Sequence, residues 1–247
     1  MALARICIIV IALAALGAPA RAQDEPDHWE VGLELGFNAA RGNTYLTLFS
    51  TTFEVKRLET DLFELAWNAT ALYGENADSV IARRYRTGLN FDYRPEAKVS
   101  PFIFLDAERD KFRKLDVRTN VGAGAKYVLW RSEQTTGSLS AAVLHDYENF
   151  TAPLPGEDAS RSSARWSIRA KAQGELDNGL ALVNTTFFKP VFEEIDDYNI
   201  DATTKASLRV SERVALSLSW MFRYDSTPPP DVRKDDQTVQ VGISLAL

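Results

Sequence analysis

Charged side chains recur in this chain at alternate positions, a spacing that on a strand sends them all to one side. Arg84, Arg86 and Asp92 form one such set, and Asp116, Arg118 and Lys126 another. Arg165 with Arg169 and Lys205 with Arg209 complete the candidate lining, and Arg94, Lys171, Glu30, Glu34, Asp106, Glu108 and Asp201 share its sides. Two chemistries are open to an interior built this way. A like-signed stripe of Arg84, Arg86, Arg118, Arg165 and Arg169 would lower the barrier for small anions or anionic solutes. The same cations, paired with Asp92, Asp116 and Asp201, would instead zip a narrow interior shut, because an unpaired charge there is costly. The sequence leaves both open.

Catalytic chemistry finds less support. The two histidines are His28, ahead of the first alternating stretch, and His145, on an apolar side. A general base must reach its proton donor within hydrogen-bond distance, and nothing in the sequence sets that up. The single cysteine, Cys7, lies in the N-terminal segment, and no transition-metal spacing is present. The acidic stretches 157–158 and 193–197 offer oxygen ligands for Ca²⁺ or Mg²⁺ but lack the fixed spacing of a dedicated site. The expectation is no enzyme, no cofactor and no metal.

The elements that must position these charges are strands. Residues 115–129 read LDVRTNVGAGAKYVL, with Leu115, Val117, Val121, Ala123, Tyr127 and Leu129 on one face. Asp116, Arg118, Asn120, Gly122, Gly124 and Lys126 lie opposite. That run exceeds the usual strand of about five or six residues and suffices to cross a bilayer at a tilt, which takes about nine to eleven. Similar alternation begins at Trp29 and recurs through 85–93, 164–172 and 198–210 to the end of the chain. Residues 102–110 fit less well, since Phe102 and Phe104 share a side with Asp106 and Glu108. About twelve strands result, an even number as single-chain outer-membrane barrels require. The expected fold is an all-β antiparallel transmembrane barrel occupying residues 29–247. A soluble periplasmic sandwich and a barrel-embedded hydrolase are the less favoured readings.

The chain starts with a short positive stretch, an apolar run over 6–16 and an Ala20-Arg21-Ala22 cleavage pattern. This predicts a signal peptide over 1–22 and a short periplasmic lead-in over 23–28. Cleavage would remove Arg5 and Arg21 from the 28 basic residues and leave the 34 acidic ones untouched. The mature chain is then acidic and cysteine-free, a poor candidate for nucleic acid.

Loop lengths agree with a barrel. The turns at 56–61, 132–137, 177–179 and 211–213 are short, whereas 74–78, 151–160, 190–197 and 225–236 are mostly longer and richer in acid and proline, with the small link at 40–44 as the exception. Short periplasmic turns and longer external loops are the usual asymmetry. Trp29, Phe53, Tyr93 and Tyr127 fall near one set of strand ends, and Tyr45, Tyr73, Tyr147, Tyr198 and Tyr224 near the other. Amphipathic rings favour membrane interfaces, so two girdles are predicted.

Three blocks carry a resemblance: Gly42-Asn43-Thr44, residues 104–127 with their Leu-Asp-Val-Arg and Gly-Ala-Gly motifs, and the ending Arg223-Tyr224-Asp225-Ser226-Thr227-Pro228-Pro229 followed by Lys234-Asp235-Asp236. Through them nearly the whole mature chain resembles the salt-induced outer-membrane proteins of domain-of-unknown-function family 481. The resemblance implies a barrel in the bacterial outer membrane, in contact with lipid and lipopolysaccharide and assembled by the barrel assembly machinery. One departure is the final Leu247, where such barrels commonly end on an aromatic residue. The expected role is a small passive channel for ions or solutes, or an envelope and salt-stress adaptation protein. The alternative is a closed structural barrel that stabilises the membrane or anchors a partner through its loops.

Overall fold

The computed structural model describes residues 27–40, 46–59, 62–76, 79–151, 158–176, 178–228 and 231–246. Residues 1–22, expected to form a signal peptide, lie outside them, as do Tyr45 and Leu247. Twelve strands form one closed antiparallel barrel. They are β1 (Asp27–Ala40), β2 (Leu46–Glu59), β3 (Phe63–Asn76), β4 (Ser79–Tyr93), β5 (Val99–Asp110) and β6 (Leu115–Arg131). The other six are β7 (Thr135–Phe150), β8 (Ser160–Glu175), β9 (Leu180–Pro190), β10 (Tyr198–Arg209), β11 (Val214–Asp225) and β12 (Asp235–Ala246). Each strand pairs with its neighbours in sequence, and β1 closes on β12 from Gly32 opposite Ala246 to Phe37 opposite Val241. Among the described residues no helix is long and apolar enough to cross a membrane.

The barrel is apolar outside and polar inside. Ile103 is 57% exposed on the outer wall while Arg165 is 1% exposed within, the reverse of a soluble core. Leu89, Leu105, Val121, Val143, Leu218, Val241 and Ile243 extend the apolar wall around the circumference. Rings mark its ends: Trp29, Tyr93 and Tyr127 are exposed at the terminal end, and Tyr198 stacks on Tyr224 at the other, 5.7 Å between centroids.

β5 takes up a face that the sequence left unassigned. Ile103 and Leu105 point outward, so Phe102, Phe104, Asp106 and Glu108 all point inward. Gly122 of β6, opposite Phe104, makes this possible, because a Cβ there would overlap the Phe104 ring. A bulge then ends the alternation of β6. Pairing with β7 skips Asp116 between Leu115 and Val117, which inverts the parity before it. Leu115, expected outside, is buried opposite Asp110, and Asp116, expected to line the lumen, pairs with Arg109 at 2.7 Å on the outer side.

Candidate functional site

The lumen divides by height. Toward the end away from the termini, β5 runs into a 3-10 turn (Lys111–Arg113). The Asp110 carboxylate accepts from the backbone N–H of Phe112 and of Arg113, and Lys114 ends the turn with φ 56. This aims Arg113 across the mouth, where its guanidinium donates to Asp225 of β11 at 2.8 Å. Burial lowers the pKa of Arg113 from its ordinary value, and the neighbouring Arg223 and Arg118 add to that shift. Asp225 supplies the opposing attraction.

Below this clasp Arg223 of β11 reaches Glu108 of β5 through two bonds of 2.8 and 3.1 Å, and its Nε donates to Asp201 at 3.2 Å. β5 and β11 stand six places apart in a ring of twelve, so this ion pair spans the barrel. Arg84 adds contacts to Asp110 at 2.7 Å and Glu108 at 3.5 Å, and Lys189 bonds Asp201 at 2.9 Å. Around the wall Arg118 pairs with Glu148 and, at 3.7 Å, with Asp146. Arg165 binds Asp146 at 3.0 Å and Asp197 at 3.1 Å, and Arg161 completes the chain by donating to Glu148. Asp197 lies in the 191–197 loop, which the bridge from Val191 to Arg165 and the ring contact of Phe192 with Trp166 hold against β8.

The middle of the barrel differs. A cavity of about 410 Å³ opens there, lined in part by Asn68, Arg86, Asp106, Asn120, Arg169 and Phe187. Arg169 lies over Phe102 and Phe187, at 5.4 and 5.9 Å from their centroids, and donates to Ser140 at 3.1 Å. Its Nε is buried without a hydrogen-bond partner. Among the described residues neither Arg86 nor Arg169 has a carboxylate at ion-pair distance, unlike Arg84, Arg118 and Arg165.

The expected lining therefore divides into several groups. Arg84, Arg118 and Arg165 are neutralised members of the outer network, so the continuous basic stripe does not form. Arg86 and Arg169 line the cavity instead. Asp92 and Lys126 lie on inward-facing strand positions nearer the terminal end, with Asp92 bonded by Asn90 at 3.2 Å. Lys205 bonds Glu34 at 2.7 Å, and Arg209 sits exposed near the terminal end, 3.4 Å from Glu175. Arg94 leaves the wall for a turn with φ 50. Sequence reasoning passed over Arg223, Asp146 and Glu148, although each alternates with an outward ring or imidazole and parity alone would have placed it inside. Asp225 shares that parity two residues after Arg223, while Arg113, in the 3-10 turn, carries no such signal.

One histidine makes a contact that the sequence did not single out. Ser162 Oγ lies 3.1 Å from His145 Nε2, a cross-strand contact on the outer wall. Among the described residues no further hydrogen bond orients that imidazole, whereas a triad needs such a third group. Among the same residues no cluster of three or more His, Cys, Asp or Glu is placed to hold a metal.

With this geometry in view, comparison with known proteins gives a family for residues 33–246: the match is to "Protein of unknown function, DUF481". The chain belongs to that family. No curated protein matches it. Among solved structures it is similar to the NanC porin, with a TM-score of 0.56 and 6% identity over 88% of this chain and 100% of the other. A second is the COG4313 outer membrane channel from Pseudomonas putida F1, with a TM-score of 0.50 and 12% identity over 94% of this chain and 100% of that one. At these identities the likeness is one of fold.

Proposed function

We propose that this protein is a small-solute channel of the bacterial outer membrane, closed at its outer end in the state described. The apolar outer wall between two sets of exposed rings suits a lipid bilayer, which supports that location. Lipid and lipopolysaccharide then cover the wall, and the barrel assembly machinery inserts it. The observation that carries the reading is the hollow polar chamber of about 410 Å³ beneath a closure made of ion pairs. A purely structural barrel would fill its middle with side chains, as barrels of about eight strands do. Ion pairs, unlike a packed apolar plug, can exchange partners with water and solute as they separate.

Planar-bilayer conductance of the purified mature chain tests the proposal. Discrete openings with a mild preference for anions are expected, the preference residing in Arg86 and Arg169. The second reading, a closed barrel serving the membrane or a partner, draws on the Arg223–Glu108 bridge across the lumen. A silent bilayer with folded, heat-modifiable protein, unchanged when that bridge is removed, would favour it.

A further inference from the structure

We propose that the mid-lumen chamber is a binding site for a single sugar ring carrying a carboxylate, an anion of the uronate class. Its role in passage rests on the channel reading, but its existence as a site does not. The outer lumen sets the standard of comparison: Arg84, Arg113, Arg118, Arg165 and Arg223 each meet a carboxylate. Arg86 and Arg169 do not, among the described residues; Arg169 Nε is buried without a partner, as Arg118 Nε and Arg165 Nη2 are, but only Arg169 of these three also lacks a carboxylate. A guanidinium with a buried unsatisfied donor is costly, and a carboxylate is the group its forked geometry suits.

Two further observations narrow the class beyond a bare anion. Phe102 and Phe187 clamp Arg169, while Phe104, 6.2 Å from Phe102, extends an aromatic surface inside a lumen otherwise lined mostly by polar and charged side chains. Aromatic faces are electron-rich and attract the polarised C–H edge of a pyranose ring. Gly122 keeps that surface flat, and Gly88 clears the space before Asp106 and Asn68, whose side-chain atoms a Cβ would approach closely. Asn68, Asn120 and Asp106 then offer donors and acceptors for hydroxyl groups. An inorganic anion would leave the ring faces and the Asp106 carboxylate, an acceptor for hydroxyl groups, without a use. A neutral sugar, for its part, would leave both guanidiniums unmatched. The volume falls within the range of about 300–1,000 Å³ typical of small-molecule sites, room for one ring with its carboxylate and hydroxyls.

The test is calorimetric titration of the folded mature protein in detergent with glucuronate, glucose and acetate, followed by conductance of the same preparation. Glucuronate should bind at least about tenfold more tightly than either of the others. Arg169→Gln should remove its advantage over glucose, and Phe104→Leu, which keeps the interior filled, should remove its advantage over acetate. Equal binding of acetate and glucuronate, no binding of any probe, or ratios unmoved by both variants would overturn the assignment. A silent bilayer with glucuronate bound would defeat the channel reading and support the site. A conducting bilayer with no glucuronate preference would do the reverse.

Discussion

Replacing Arg223 by Gln removes a side chain that joins β11 to β5 across the outer lumen and to neighbouring β10. Three charge-assisted hydrogen bonds are lost, two to buried Glu108 and one to half-buried Asp201. Breaking a buried ion pair by deleting one partner costs about 3–5 kcal/mol. Neither carboxylate is orphaned, because Arg84 remains 3.5 Å from Glu108 and Lys189 remains 2.9 Å from Asp201. The expected loss is therefore smaller, about 2–4 kcal/mol. Urea unfolding of the barrel from phospholipid vesicles measures it. Glu108→Gln should act in the same direction, and the double variant should fall short of additivity by about 1–3 kcal/mol, as contacting residues do. In a planar bilayer each single variant should stay open longer than the parent chain, since the cross-lumen bond is absent. Strict additivity together with unchanged conductance would refute the reasoning, because Arg223 and Glu108 would then not meet across the lumen.

Leu89 faces outward and Asn90 inward, so Leu89→Arg should impair insertion into vesicles by about 2–4 kcal/mol, with Asn90→Arg tolerated far better. Equal damage from the two would contradict the register of β4. Asp116→Asn should change unfolding by no more than about 1 kcal/mol, because its pair with Arg109 is exposed. Asp146→Asn should cost about 2–4 kcal/mol, since that carboxylate lies buried between Arg118 and Arg165. Comparable effects at the two positions would argue against the bulge in β6. Gly122→Leu should displace Phe104, lower stability by about 1–3 kcal/mol and reduce any glucuronate binding, measured by denaturation and calorimetry.

The barrel itself was legible because its cause is local. A strand with one face in lipid and one in a polar lumen must alternate, and the alternation survives in sequence wherever no residue is inserted. β4 shows this: Tyr85, Thr87, Leu89 and Phe91 alternate with Arg86, Gly88, Asn90 and Asp92 as the structure places them. β5 misleads only because two of its inward residues are phenylalanines, and hydrophobicity alone cannot tell a lipid-facing ring from one that backs an interior arginine. β6 misleads through its bulge, which adds one residue without altering composition and so sends Asp116 out and Leu115 in. The Ser162–His145 contact escaped for a related reason, since a diagonal neighbour depends on the pairing register of two strands.

What joins the charges was hidden more deeply. Parity places Arg223 and Glu108 inside the same barrel, but they are 115 residues apart and on opposite walls. Whether they touch depends on the barrel's cross-section and on how far each side chain leans along the axis, and no local pattern encodes either. The same geometry separates Arg84 from Arg86, two residues apart on one face of one strand. Arg84 stands level with Asp110 and is neutralised there. Arg86 stands opposite Glu108, whose carboxylate oxygens are already claimed by Arg223 from across the lumen. With Glu108 held by Arg223, Arg86 has no carboxylate at ion-pair distance among the described residues. On the channel reading, an anion that drew Arg223 away would free Glu108, which stands opposite Arg86, to pair with it. Conductance of Glu108→Gln should accordingly show stronger anion preference than the parent chain, since Arg86 then meets no carboxylate in either state. A preference that fell instead would break this link between the closure and the chamber.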